Sequence, residues 1–104
     1  MTLDDLLKRA MDLRAETVAF CDSVGFHQTS SDLMGNLEKV HKSTAIQWAY
    51  TRQYLQDSPM KTERARNTET MRHMLARMGR AIDVYLYAKQ HGVDAAMIWK
   101  LTNA

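Results

Sequence analysis

Residues 71–92, MRHMLARMGRAIDVYLYAKQHG, decide the fold. Met74, Met78, Ala81, Tyr85 and Ala88 recur at spacings of three and four, and Met71, Leu75, Ile82 and Leu86 form an adjacent stripe. Side chains so spaced share a face of an α-helix, so the stretch predicts a helix that is apolar over more than half of its circumference. A helix that broad needs neighbours on two sides. Gly92 is placed to end it.

Working outward, the rest of the chain supplies only helices as neighbours. Leu3, Leu6, Ala10, Leu13, Thr17, Phe20 and Val24 predict a first helix with one continuous seam. Thr2 is its expected cap, Asp4 and Asp5 sit where the helix dipole favours acids, and Gly25 closes it. A short polar linker, Gly25 to Ser31, leads to a second helix capped by Ser30 or Ser31. Its expected inner face is Met34, Leu37, His41, Thr44, Trp48 and Leu55. Pro59 disfavours helix at Ser58, which predicts a loop over Asp57 to Thr62. The long helix then begins between Thr62 and Thr68. Asp94 caps a short last helix that carries Met97, Ile98, Trp99 and Leu101. No run alternates as a strand does, so the fold class is all-α: two long antiparallel helices with flanking helices in a single domain, residues 1–104.

Composition narrows the function classes. The chain is 45% hydrophobic and 25% charged, with a net charge of +2. That charge is too small to imply nucleic-acid binding by itself. Cys21 is the only cysteine and lies among apolar residues, which predicts a reduced core thiol. The start, MTLDDLLKRA, does not read as a signal peptide, and no segment approaches the roughly 20 apolar residues that span a bilayer. The expected setting is the cytoplasm, with no membrane partner. Eight methionines invite the idea of an adaptable surface, but their stripes predict core filling.

Two stretches carry a resemblance to a known family. The first is AIDVYLYAKQHGVDAAMIWKLTNA, Ala81 to Ala104; the second is DLMGNLEKV, Asp32 to Val40. With the Gly25-Phe26-His27-Gln28 linker and the order of helices, the chain resembles the MazG-like all-α nucleoside-triphosphate pyrophosphohydrolases over nearly its whole length. The resemblance implies a helical bundle completed by homodimerisation. It also implies cleavage of nucleoside triphosphates to monophosphate and pyrophosphate by Mg²⁺, held by Glu-Glu-x-x-Glu on one helix and Glu-x-x-Asp on the next. Residues three or four apart share a helix face, so two such helices packed antiparallel gather a cluster of oxygen ligands.

This chain departs from that pattern. The first set falls on Glu38, Lys39, Val40, His41 and Lys42, the second on Arg80, Ala81, Ile82 and Asp83. Glu38 and Asp83 survive; Lys39, Lys42 and Arg80 replace acids, and Gly79 stands where many members have another. No metal cofactor is then expected, and if one binds, Glu38 and Asp83 are its ligands. Arg80 is expected to reach Glu38 across the interhelical gap, and Lys39 or Lys42 to reach Asp83, so that cations fill the space of the metal.

Plainer readings stand beside these. Glu38, Lys39 and Lys42 also fit a solvated face, His41 a core histidine with a satisfied hydrogen bond. Trp48, Tyr50 and Tyr54 fit core packing as well as base stacking. Arg66, His73, Arg77 and Arg80 form a basic stripe that suits phosphate recognition or a solubilising face. The leading expectation is a non-catalytic relative of the pyrophosphohydrolases. It binds a nucleotide, its phosphates or a protein partner, with Lys39, Lys42, Arg77, Arg80 and Trp48 as candidate contacts. The alternative is an active Mg²⁺ enzyme that recruits Asp32, Glu63, Glu69 or Asp94; the second alternative is a nucleic-acid-binding module resting on the basic stripe. A homodimer is expected because few other helices are available to cover both apolar stripes.

Overall fold

The computed structural model describes residues 1–57 and 61–103, with no account of the side chains of 61, 102 and 103. Among the described residues there are five helices and no strand: α1 (Leu3–Ser23), α2 (His27–Leu33), α3 (Leu37–Gln56), α4 (Lys61–His91) and α5 (Ala95–Asn103). None of them is long and apolar enough to cross a membrane. The break expected at Ser58 and Pro59 lies outside the described residues.

α1 begins on a reciprocal cap. The Asp5 backbone N–H donates to Thr2 Oγ1 at 3.2 Å, and the Thr2 N–H donates to Asp5 Oδ2 at 2.9 Å. The bonds from Thr2, its backbone first and its side chain second, hold the Asp5 carboxyl below the usual carboxylate range. Thr2→Ala is expected to cost about 0.5–2 kcal/mol, read as a lower urea midpoint at unchanged slope. At the far end Gly25 takes φ +88°, in the left-handed region that glycine adopts without strain. The Phe26 N–H then reaches back to the Cys21 carbonyl at 2.7 Å, and the Gly25 N–H to that of Asp22. This is a Schellman closure, and its apolar contact is Phe26 with Cys21, both in the core.

The polar linker expected after Gly25 is instead helical. Phe26 is buried and stacks on Tyr54, ring centroids 4.6 Å apart, and α2 turns Thr29, Ser30 and Leu33 inward. Burying two hydroxyl residues hides this helix from any apolar pattern. Its end at Leu33 also moves the cap of α3. Asn36, not Ser30 or Ser31, accepts the Lys39 N–H at 3.0 Å. The Arg14 guanidinium ties α1 to this turn by donating to the Gly35 carbonyl at 2.6 Å.

The inner face of α3 is rotated from the expected one. Leu37, Val40, Gln47 and Thr51 are buried, His41, Thr44 and Trp48 are half-buried, and Met34 is 70% exposed. Thr44 and Thr51 can face inward because their hydroxyls donate to the carbonyls of Val40 and Gln47, one turn back.

α4 is the axis of the molecule. At 1.5 Å per residue its 31 residues span about 46 Å, close to the long dimension of 48 Å. α1 and α3 both run antiparallel to it: Cys21 meets Met71 and Leu6 packs with Val84, while Glu38 meets Lys89 and His41 meets Asp83. Met71, Leu75, Met78, Ala81 and Ile82 are buried with Ala10, Leu33, Leu37 and Val40, and a smaller cluster gathers Leu6, Val84, Ala88 and Ile98. α1, α3 and α5 of the same chain bury most of both stripes, with Met74, Tyr85 and Leu86 half-buried. Gly92, at φ +85°, closes α4, and Asp94 Oδ1 caps α5 by accepting from the N–H groups of Ala96 and Met97.

Candidate functional site

α3 and α4 diverge enough to leave a cleft of about 390 Å³ between them. Its walls carry His41, Thr44 and Trp48 from α3 and Arg72, Gly79 and Asp83 from α4. The positions follow from helix geometry. His41, Ala45 and Trp48 are spaced by four and three and so share the α4-facing edge of α3; Arg72, Ala76, Gly79 and Asp83 do the same on α4. Gly79 keeps the floor open. A Cβ there would meet only Thr44 Cγ2, at 3.8 Å.

Both surviving acids are already engaged, by partners other than those expected. His41 Nδ1 lies 3.0 Å from Asp83 Oδ1, and Lys89 Nζ donates to Glu38 Oε1 at 3.3 Å. Lys39, Lys42 and Arg80 are exposed, and among the described residues none of them is within ion-pair distance of either acid. The expected filling of the gap by these three cations is thus replaced by His41 and Lys89. Each residue along a helix turns the side chain by about 100°, so Lys42 points a full step away from His41 and Lys39 further still. Arg80 is turned about 60° from Asp83, towards α1 and α5.

Mg²⁺ requires hard oxygen ligands in near-octahedral geometry. Among the described residues no three His, Cys, Asp or Glu side chains gather to hold an ion, and Glu38 and Asp83 pair with different side chains, Lys89 and His41. The donor set does not fit the magnesium cluster that the resemblance implies. The other acids considered are used locally where they have partners. Asp32 Oδ2 accepts from Gln47 Nε2 at 2.9 Å, Glu69 pairs with Arg72 and His73, and Asp94 caps α5. Glu63 stands exposed in the first turn of α4.

Trp48 is in the cleft wall, with the guanidinium groups of Arg52 and Arg72 each 5.5 Å from its ring centre. Tyr50 is exposed on another face, and Tyr54 packs on Phe26 with Arg64 over its ring at 5.0 Å. Of the three aromatics weighed for stacking, only Trp48 lines the cleft. The basic stripe of α4 is divided: His73 pairs with Glu69, whereas Arg77 and Arg80 line a separate cavity bounded by α1 and α5. Sequence reasoning missed the roles of Arg72 and Lys89. Arg72 stands one helical step from the stripe on which Arg66, Arg77 and Arg80 were grouped, and Lys89 lies six residues beyond Asp83, outside the spacing of the family motif.

The chain matches no protein-family model, no curated protein and no solved structure.

Proposed function

We propose that this chain is a non-catalytic relative of the MazG-like pyrophosphohydrolases, a binding module whose α3–α4 cleft takes a nucleotide without metal. The observation that carries this reading is the pairing of Glu38 with Lys89 and Asp83 with His41. The Lys89 contact offsets the Glu38 charge and the His41 contact occupies Asp83 Oδ1, while the cleft keeps an aromatic and guanidinium wall. Trp48 offers a stacking face and Arg72 a planar donor fork for phosphate oxygens. A base laid on Trp48 displaces a guanidinium from the ring and frees that group to turn to the phosphates. Homodimerisation belongs to the same reading. It is supported by Ile46 and Tyr50, one turn apart on α3 and 54% and 49% exposed.

The test is a titration of nucleoside triphosphates into the protein in the presence of EDTA, followed by tryptophan fluorescence, beside an assay for pyrophosphate release with Mg²⁺. Saturable quenching that is lost in Trp48→Ala and at least tenfold weaker in Arg72→Gln, with no pyrophosphate formed, is the expected result. Turnover that needs Mg²⁺ and disappears in Asp83→Asn or Glu38→Gln would restore the enzyme alternative. Sedimentation at micromolar concentration checks the dimer, which Ile46→Glu is expected to dissociate.

A further inference from the structure

A second cavity, larger than the α3–α4 cleft, stands apart from it. It lies where α1, α4 and α5 meet, has a volume of about 520 Å³, and takes no part in the nucleotide reading above. Its walls are of two kinds only. Leu6, Leu13, Val84 and Ile98 are among the apolar side chains, with the Trp99 indole at the edge, and the charged side chains among the described lining are the guanidinium groups of Arg9, Arg77 and Arg80. Among the described residues no hydroxyl, amide or carboxylate side chain lines it.

Arg9, Arg77 and Arg80 are exposed, so solvent screens their mutual repulsion, and an anion bound among them would lower it further. Among the described residues none of the three arginines has an acidic partner within 4.0 Å. Several nearby acids are committed elsewhere: Asp5 to the α1 cap, Asp12 to Lys8 at 3.0 Å, Asp83 to His41 and Asp94 to the α5 cap. The volume falls within the range of small-molecule pockets, which combine an apolar lining with a few convergent polar groups.

We infer that this cavity binds an anion with a long apolar tail, of the fatty-acid class. The arginines take the carboxylate, and the space between Leu6, Val84 and Ile98 takes the chain. A nucleotide fits poorly, because the hydroxyls of a sugar and the edges of a base would be buried against aliphatic walls without partners. Exposed Trp99, at 67%, stands where a bound chain would cover it.

Calorimetric titration of the intact chain tests this with octanoate, decanoate and dodecanoate, all below their micelle concentrations, with far-UV circular dichroism recorded to confirm that the helices persist. The expected result is one saturable site whose affinity rises about fourfold per added CH₂. Dodecanol, which has the tail without the charge, should bind at least tenfold more weakly, as should dodecanoate to Arg77→Gln/Arg80→Gln. ATP should not displace dodecanoate, and this separates the cavity from the cleft even if the nucleotide reading fails. Equal affinity for acid and alcohol, unchanged binding in the arginine variant, or no saturable site would overturn the inference. So would a cavity filled by a second copy of the chain, seen as a dimer that Arg77→Gln/Arg80→Gln dissociates and dodecanoate leaves intact.

Discussion

Ile82→Ala should lower the stability of the fold by about 2–5 kcal/mol, the range for truncating a fully buried aliphatic side chain. Ile82 has no exposed surface and lies on the stripe of α4 that packs with Met78, Ala81 and the core residues of α1 and α3. Removing three carbons loses their transfer free energy. It also leaves a hole that helices anchored at both ends cannot close by a small shift. A domain of this size has only about 5–15 kcal/mol in total, so the variant is expected to melt roughly 10–30 °C lower. Met11→Ala is the internal control, since an apolar side chain at 45% exposure on α1 should change stability by no more than about 0.5 kcal/mol. Urea titration followed by circular dichroism measures both. Equal losses at the two positions would mean that α4 is not the packed axis of the molecule.

The second large effect is alkaline destabilisation through Cys21. Its thiol is fully buried against Met71, sulfur to sulfur 3.3 Å, and burial first, with the neighbouring Asp22 charge second, pushes its pKa up to about 11 from 9.0. In the unfolded chain the thiol ionises near the ordinary value; in the folded chain it stays protonated until about pH 11. The stabilisation from the neutral thiol is therefore complete below pH 9 and is lost as pH rises to about 11, with a slope of roughly 1.4 kcal/mol per pH unit. Lysines and tyrosines titrate in the same window, so the informative quantity is the difference between wild type and Cys21→Ala. That difference should shrink by on the order of 2 kcal/mol between pH 8 and pH 10.5. A difference that does not change with pH would show that the thiol ionises equally in both states. The same burial predicts very slow reaction with thiol reagents under native conditions.

Most of the helices were legible because their signals are local. Thr2 with Asp5, Gly25, Gly92 and Asp94 act within a few residues of where they stand, and the twin stripes of α4 are visible in spacing alone. Two features were not legible. α2 buries Thr29 and Ser30, and α3 buries Gln47 and Thr51, so polar letters occupy positions that pattern reading reserves for apolar ones. The hydrogen bonds that make this tolerable, such as Gln47 to Asp32, join residues fifteen apart and appear only once the helices are packed. The cleft was located through Glu38 and Asp83, but its charge pairing was misassigned, because which cation reaches which acid depends on the rotation of each helix. The α1–α4–α5 cavity left no trace in sequence: Arg9, Arg77, Arg80 and Trp99 are drawn together from three helices by the tertiary fold.

The antiparallel docking of α1 on α4 also sets a timetable for synthesis. Cys21 and its partner Met71 are 50 residues apart, so a ribosome adding about 5–20 residues per second completes the second roughly 3–10 s after the first. Throughout that interval the nascent first helix carries Leu6, Ala10 and Cys21 with only Phe26 and the short α2 to dock on, and a helix of its length without its main partner is marginal in water. Chaperones that recognise short apolar segments would find their target there, and premature termination anywhere before residue 71 would release a fragment unable to bury its own first helix.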